Sequence, residues 1–219
     1  MTNVAVTITG VDARTDLTKL PENVEIGLLY SLVTEPSNRY PSHLELREIL
    51  GRIGHIPSSL HVCGKKARNA LIDGKCYDLT NRVQRIQING RVNPVELEYI
   101  CRAFRTHTII TQHSPFNEPL LEVNEPNHAI LVDGSGGRGI TPDIWELPRT
   151  RKAVGFAGGL GAGNIIEELK RIKQLTPQNF WIDMEEKLRT ENDLFDYRKA
   201  QSIVATIKGL EKVPTLEYI

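Results

Sequence analysis

The apolar run His128–Val132 is followed by Asp133 and then by Gly134-Ser135-Gly136-Gly137-Arg138-Gly139. An acid at the end of a strand, ahead of a glycine-rich loop, is how an α/β protein presents a carboxylate to a small ligand. The glycines let the backbone approach that ligand or take positive φ. General acid–base work is the chemistry this placement suits. The alternative is a plain strand-to-helix turn in which Asp133 only caps the backbone.

Other groups of the same kind are scattered along the chain. His113 carries an imidazole that titrates in the useful range; otherwise it is a loop histidine beside Pro115. Cys63 offers a thiol, or a small buried residue, since free cysteines are commonly inert and internal. His61 lies two residues earlier on the same face and reads as internal. Asp183 ends another apolar run and could simply cap neighbouring backbone. The three cysteines, Cys63, Cys76 and Cys101, show no CxxC or Cys/His spacing, so no metal is expected.

Eight short apolar runs would position these groups: Val4–Thr9, Val24–Tyr30, Ser59–Cys63, Val83–Ile88, His107–Thr111, His128–Val132, Ala153–Ala157 and Phe180–Asp183. Helical patterns lie between them. Ser42 with Glu45 makes a capping box before Leu46, Ile49, Leu50 and Ile53. Asn93-Pro94 opens a helix carrying Leu97, Ile100, Cys101 and Phe104. Ile165, Leu169 and Ile172 follow Gly163-Asn164, and Ala200, Ile203, Val204 and Ile207 mark the last helix. The crossovers after the first and fifth strands are weak; Leu17 and Leu20 bury little, and Pro115 and Pro119 crowd the other.

A strand with a crossover repeated eight times predicts a (β/α)8 TIM barrel, class α/β, as a single domain over 1–219. An open doubly wound sheet is the alternative. In the barrel, Thr9, Tyr30, Cys63, Asn89, Thr111, His113, Asp133, Gly158 and Asp183 share the rim where ligand chemistry occurs.

Bulk properties narrow the partners. The chain has 219 residues, 40% of them apolar, and 27 basic against 27 acidic side chains. No global field favours nucleic acid or an anionic membrane. No run of 18 apolar residues is present, and Met1–Gly10 lacks the pattern of a signal peptide. A cytoplasmic protein with reduced thiols is expected.

Four segments resemble one family, phosphoribosylanthranilate isomerase, a (β/α)8 enzyme of tryptophan biosynthesis. Val6-Thr7-Ile8-Thr9-Gly10 is similar to its K-I-C-G strand. Ser37-Asn38-Arg39-Tyr40-Pro41-Ser42 resembles its S-x-R-x-x-S loop, and Gln87-Ile88-Asn89-Gly90 its Q-L-H-G strand end. Gly136-Gly137-Arg138-Gly139-Ile140-Thr141-Pro142-Asp143-Ile144-Trp145 resembles its G-G-T-G-K-T-F-D-W segment. A fifth piece, Ala157-Gly158-Gly159-Leu160 before Asn164, is similar to its seventh strand and helix start.

The resemblance implies a cofactor-free Amadori rearrangement of an aminoaldose phosphate, an intramolecular oxidoreduction of the aldose–ketose type. An acid opens the sugar ring by protonating its oxygen, and a base then removes the C2′ proton. Asp133 matches the acid. Arg39 matches the group that holds the anthranilate carboxylate, a task for a planar charged fork. Gly158, Gly159 and Leu160 match half of a phosphate site. Gln87, Asn89, Gly136, Gly137 and Arg138 fall at the family's substrate-binding positions. The implied partner is a small phosphorylated or carboxylate substrate, bound by a monomer or homodimer.

The pattern breaks at three places. Thr9 stands where the family has its catalytic cysteine, and a hydroxyl supplies no usable base unless another base sits beside it. After the eighth strand, Glu185 and Glu186 replace a small segment that closes the phosphate site, although Lys187 and Arg189 could offset their charge. Arg138 is a cation shifted by a residue from the family's lysine. A divergent isomerase therefore needs a relocated base, and Asp133, Arg39 and one of His113, Cys63 or Asp183 should converge on one cleft. The other readings are an isomerase-like enzyme for a different small anion or unphosphorylated substrate, and a binding protein whose rim is filled by Glu185 and Glu186.

Overall fold

The computed structural model describes residues 4–32, 37–133, 135, 138–176 and 178–211. Gly134, Gly136, Gly137 and the apolar tail Val213–Ile219 lie outside the described residues. Eight strands form one closed parallel barrel in chain order: β1 (Val4–Thr9), β2 (Glu25–Ser31), β3 (Ser58–Cys63), β4 (Arg85–Asn89), β5 (Thr108–His113), β6 (His128–Asp133), β7 (Val154–Ala157) and β8 (Phe180–Met184). The barrel closes through β1 and β8, with Val4 opposite Phe180 and Thr7 opposite Asp183. All eight expected strands are present, and the open-sheet alternative is excluded by that closure.

Six helices pack outside: α1 (His43–Ile53), α2 (Gly64–Ile72), α3 (Tyr77–Thr80), α4 (Pro94–Ala103), α5 (Ile165–Leu175) and α6 (Tyr197–Glu211). Ser42 and Glu45 make the full capping box at α1. Asn93 accepts from the Glu96 amide at α4, with Pro94 in the first turn. The weak crossovers fall short of α-helix. Single 3-10 segments, Leu17–Lys19 and Pro115–Glu122, follow β1 and β5. After β6, described residues 138–153 contain no helix. Pro142 and Pro148 remove two backbone donors there, which a helix would need.

Strand alternation divides the core in two. Outward residues such as Ile8, Leu28, Leu60, Ile88, Ile109 and Ile182 join the helix faces in the main apolar cluster. Each fully buried aliphatic side chain contributes about 1.5–3 kcal/mol. Inside the barrel the apolar cluster is small: Ile110, Ala129, Leu131, Ala157 and Trp181. Apart from Leu29, the other inward side chains described here are polar. Thr7 donates to Glu25 at 3.1 Å, Arg85 pairs with Glu25 at 3.3 Å, and the Arg85 guanidinium lies 4.4 Å from the Trp181 ring centroid. Gly155 makes room for Trp181, because a Cβ there would sit 2.0 Å from the indole. A plug of side chains thus fills the lower barrel, and the polar groups above it face the rim.

Candidate active site

The C-terminal rim encloses a cleft of about 360 Å³. Arg39, Gln87, Asn89, Asp133, Gly158, Gly159, Leu160 and Asp183 all line it, together with Cys63, Gln112, Glu185, Glu186 and Lys187. Of the site residues read from the sequence, the seven named before Asp183 line this one cleft.

Asp133 ends β6 opposite Ala157 of β7, and Ala157 stands opposite Asp183 of β8. Two strand spacings set the two acidic residues' backbones about 10 Å apart. The small side chain of Ala157 leaves the space between them open to the cleft. Asp133 Oδ1 accepts from the Ser135 amide at 3.0 Å and the Ser135 hydroxyl at 2.7 Å, and Oδ2 accepts from Gln112 Nε2 at 3.2 Å. Gly158 has φ +125°, and a Cβ on it would come within 3.6 Å of Asp133 Oδ1. A side chain at that glycine would therefore crowd both the turn and the acid.

Asp183 is held from below. The Thr9 hydroxyl donates to its Oδ1 at 2.6 Å, and Gln87 Nε2 donates to its Oδ2 at 3.3 Å. Gln87 Nε2 also lies 3.2 Å from His61 Nδ1 and 3.1 Å from Asn89 Oδ1, while His61 Nε2 meets the Ser59 hydroxyl at 3.1 Å. Thr9 is fully buried and does not line the cleft. Gly27 makes this layer possible, since a Cβ there would stand 2.2 Å from Thr9 Oγ1 and 3.0 Å from His61 Nε2. Burial holds His61 below the ordinary imidazole range. It is internal, as its strand parity suggests.

Two expected base candidates do not suit the task, Cys63 by its protonation and His113 by its place. Burial pushes the Cys63 thiol up to about 12, so it stays protonated; its S–H points to the His61 carbonyl oxygen at 3.4 Å. On β5 Ile110 belongs to the interior cluster, so alternation turns Gln112 inward and His113 outward. His113 Nε2 lies 3.6 Å from Glu118, in a neighbouring cavity of about 810 Å³ that Arg138 and Asp133 also border. Of the three groups of which one was expected beside Asp133 and Arg39, Asp183 and Cys63 line the main cleft and His113 does not; Arg138, read as substrate-binding, does not line it either. Arg138 Nε instead donates to the Ser135 carbonyl at 2.8 Å.

Arg39 reaches the cleft already engaged. It pairs with Glu185 at 3.2 Å, Glu186 at 2.9 Å and Asp193 at 2.8 Å. The Asp193 hydrogen bond and these acids raise its pKa above the ordinary range. Burial pushes Glu185 up to about 7, against the opposing pull of Arg39; repulsion from Asp183 adds to the rise. For Asp193, hydrogen bonds from Arg39 and Arg189 outweigh desolvation and hold the carboxyl below its usual range. Arg189 is not a cleft cation. Its guanidinium is buried, donating to the Gly10 carbonyl at 2.9 Å and to Asp193 at 2.6 Å. Of the two cations read as possible offsets, only Lys187 lines the cleft.

The Gly158-Gly159-Leu160 turn is braced by Asn164. Its Nδ2 donates to the Gly159 carbonyl at 3.0 Å and to Thr141 Oγ1 at 2.9 Å, and its Oδ1 accepts from the Gly161 amide at 2.8 Å. Asn164 makes no side-chain cap on α5, which leaves the helix start facing the turn. Glu186 packs on Gly139, where a Cβ would lie 2.5 Å from Glu186 Cβ. An acid therefore lines the same cleft as the turn read as half of a phosphate site.

Gln112 was not singled out from the sequence; it shares the inward parity of Ile110 on β5, as Glu185 shares that of Asp183.

No protein-family model and no curated protein matches the sequence. Solved structures do. Phosphoribosylanthranilate isomerases are among them. The barrel superposes with a TM-score of 0.70 on TrpF from Jonesia denitrificans, at 15% identity over 96% of this chain and 99% of that one. Monomers generated from the dimeric isomerase of Thermotoga maritima give 0.69 and 16%, over 94% and 100%. An isomerase in complex with reduced 1-(o-carboxyphenylamino)-1-deoxyribulose 5-phosphate gives 0.69 and 18%, over 94% and 100%. At such identities the likeness establishes the (β/α)8 barrel fold and leaves the chemistry to the residues of the cleft. No helix among the described residues is long and apolar enough to cross a membrane.

Proposed function

We propose that this chain is a divergent phosphoribosylanthranilate isomerase-like enzyme, converting an aminoaldose phosphate to an aminoketose phosphate by acid–base catalysis without a cofactor. The observation that carries the reading is Asp133. It stands at the end of β6 in a cleft shared with Arg39 and the Gly158-Gly159-Leu160 turn, inside a barrel shaped like those isomerases. Ser135 and Gln112 fix its carboxyl group, so a proton can pass between it and a sugar ring oxygen at one defined place. Arg39 offers a planar fork to a substrate carboxylate. In this reading the protein works in the cytoplasm, as a monomer or homodimer, on a small substrate.

The contacts of Arg39 favour a second reading, an isomerase-like enzyme for a different small anion. Three acids already occupy that guanidinium, and Glu186 packs on Gly139 at the edge of the same cleft. A carboxylate at 4 Å from another anion costs roughly 1 kcal/mol in bulk water and more where water is excluded.

Expression in a tryptophan-auxotrophic strain lacking the isomerase tests the first reading. Rescue by the wild type, lost in Asp133→Asn, is the expected result. Soluble protein with no rescue, and no turnover of phosphoribosylanthranilate in vitro, leaves the second reading.

A further inference from the structure

We propose that Asp183 is the base that takes the proton from carbon, and that Thr9 is its positioning residue. This rests on the isomerase reading above. The position that would hold a thiol on β1 holds a buried hydroxyl, and that hydroxyl is spent as a donor to the adjacent strand. The function missing from β1 is thereby carried by β8, one strand around the barrel, where Thr7 and Asp183 stand opposite each other.

Three features suit Asp183 to the task. It lines the cleft although it is mostly buried. Each carboxylate oxygen accepts two hydrogen bonds; Thr9 takes one position on Oδ1 and Gln87 one on Oδ2, which leaves an acceptor position on each oxygen for substrate. It stands two strands from Asp133 with only Ala157 between them, so acid and base flank one stretch of the cleft and act on different atoms of one small molecule. Glu185, the neighbouring acid of the same parity, is committed to Arg39 at 3.2 Å.

The step is balanced within the substrate. Asp133 protonates the ring oxygen; the C1–O bond breaks as the nitrogen lone pair forms C1=N. Asp183 then takes the C2 proton. The C–H pair becomes the C1–C2 double bond, and the C1=N π pair returns to nitrogen. A proton returns to C1 as the enol hydroxyl gives up its own, so two electrons move inside the molecule and no oxidant is needed.

Exchange of deuterium from D2O into the carbon of that step is the test, read by NMR. The probes are phosphoribosylanthranilate, ribose 5-phosphate and ribose. Wild type should exchange with at least one of them, and Asp183→Asn should lose about 100-fold or more. Thr9→Val should lower kcat with KM unchanged, and Thr9→Ser should restore it, with thermal melting confirming folded protein throughout. Exchange that survives Asp183→Asn overturns the proposal and leaves the isomerase reading intact. Should Asp183→Asn not fold, the Thr9 pair decides, and wild-type kcat in Thr9→Val overturns it. No exchange by wild type on any probe removes the isomerase reading and this proposal together.

Discussion

The two sides of the rim are built on opposite plans. Along β6, β7 and β8, Asp133 and Asp183 are held by neutral donors: Ser135, Gln112, Thr9 and Gln87. Neutral donors orient a carboxylate without cancelling its charge. Where the loop after β2 meets the loop after β8, Arg39, Glu185, Glu186 and Asp193 satisfy one another. A ligand approaching the first side finds acceptors in place. A ligand approaching the second must replace a partly buried ion pair; fully exposed pairs are individually worth only about 0–1 kcal/mol. Fixed acids on one wall and exchangeable charges on the other divide chemistry from recognition.

Substitutions on the first side should act through rate. Asp133→Asn is expected to lower kcat by about 10²–10⁴ with little change in KM, measured on whichever substrate wild type turns over. A large rise in KM with kcat unchanged would move Asp133 to the recognition side. Gly27→Ala comes next. Its methyl group would collide with Thr9 Oγ1, so a destabilisation of about 1–3 kcal/mol is expected by denaturant unfolding, along with reduced turnover. Unchanged stability would mean the layer beneath Asp183 is looser than its hydrogen bonds indicate.

On the second side the effects should be smaller and salt-dependent. Glu185 has a folded value of about 7 against an ordinary 4.5. Below pH 4.5 both folded and unfolded chains carry the proton; between 4.5 and 7 only the folded chain keeps it. Stability should therefore fall as pH rises through that window and level off above it. Glu185→Gln should flatten the fall by up to about 2 kcal/mol, allowing for partial exposure, in melts recorded from pH 4 to 8. An unaltered slope would place the titration elsewhere. Arg39→Met should destabilise by about 1 kcal/mol, with a loss that shrinks at high salt; a loss insensitive to salt would show packing rather than charge.

The sequence was informative where structure follows from neighbours. Ser42 with Glu45 and Asn93 with Pro94 are local signals, and both helix starts lie where they point. Apolar runs mark the strands because both faces of a barrel strand are covered. His113 shows the limit: the run His107–Thr111 has isoleucines on both parities, at 109 and 110, and only the interior cluster reveals which parity faces the cleft. The ion pairs of Arg39 were not legible at all. Its hydrogen-bond partners Glu185 and Asp193 lie 146 and 154 residues away, brought together only when β8 closes on β1. Asp183 was visible as a strand-end acid, but its value depends on Thr9, 174 positions earlier.

The Trp181 plug has a further consequence. With the indole filling the space left by Gly155, and Arg85 and Glu25 paired beside it, the tube is blind-ended. Whatever enters must leave by the same doorway, past Arg39 and the acids around it. Incoming and departing molecules then compete for one passage, so a reaction product should inhibit competitively, and traffic through the mouth should set the pace once the chemistry is fast.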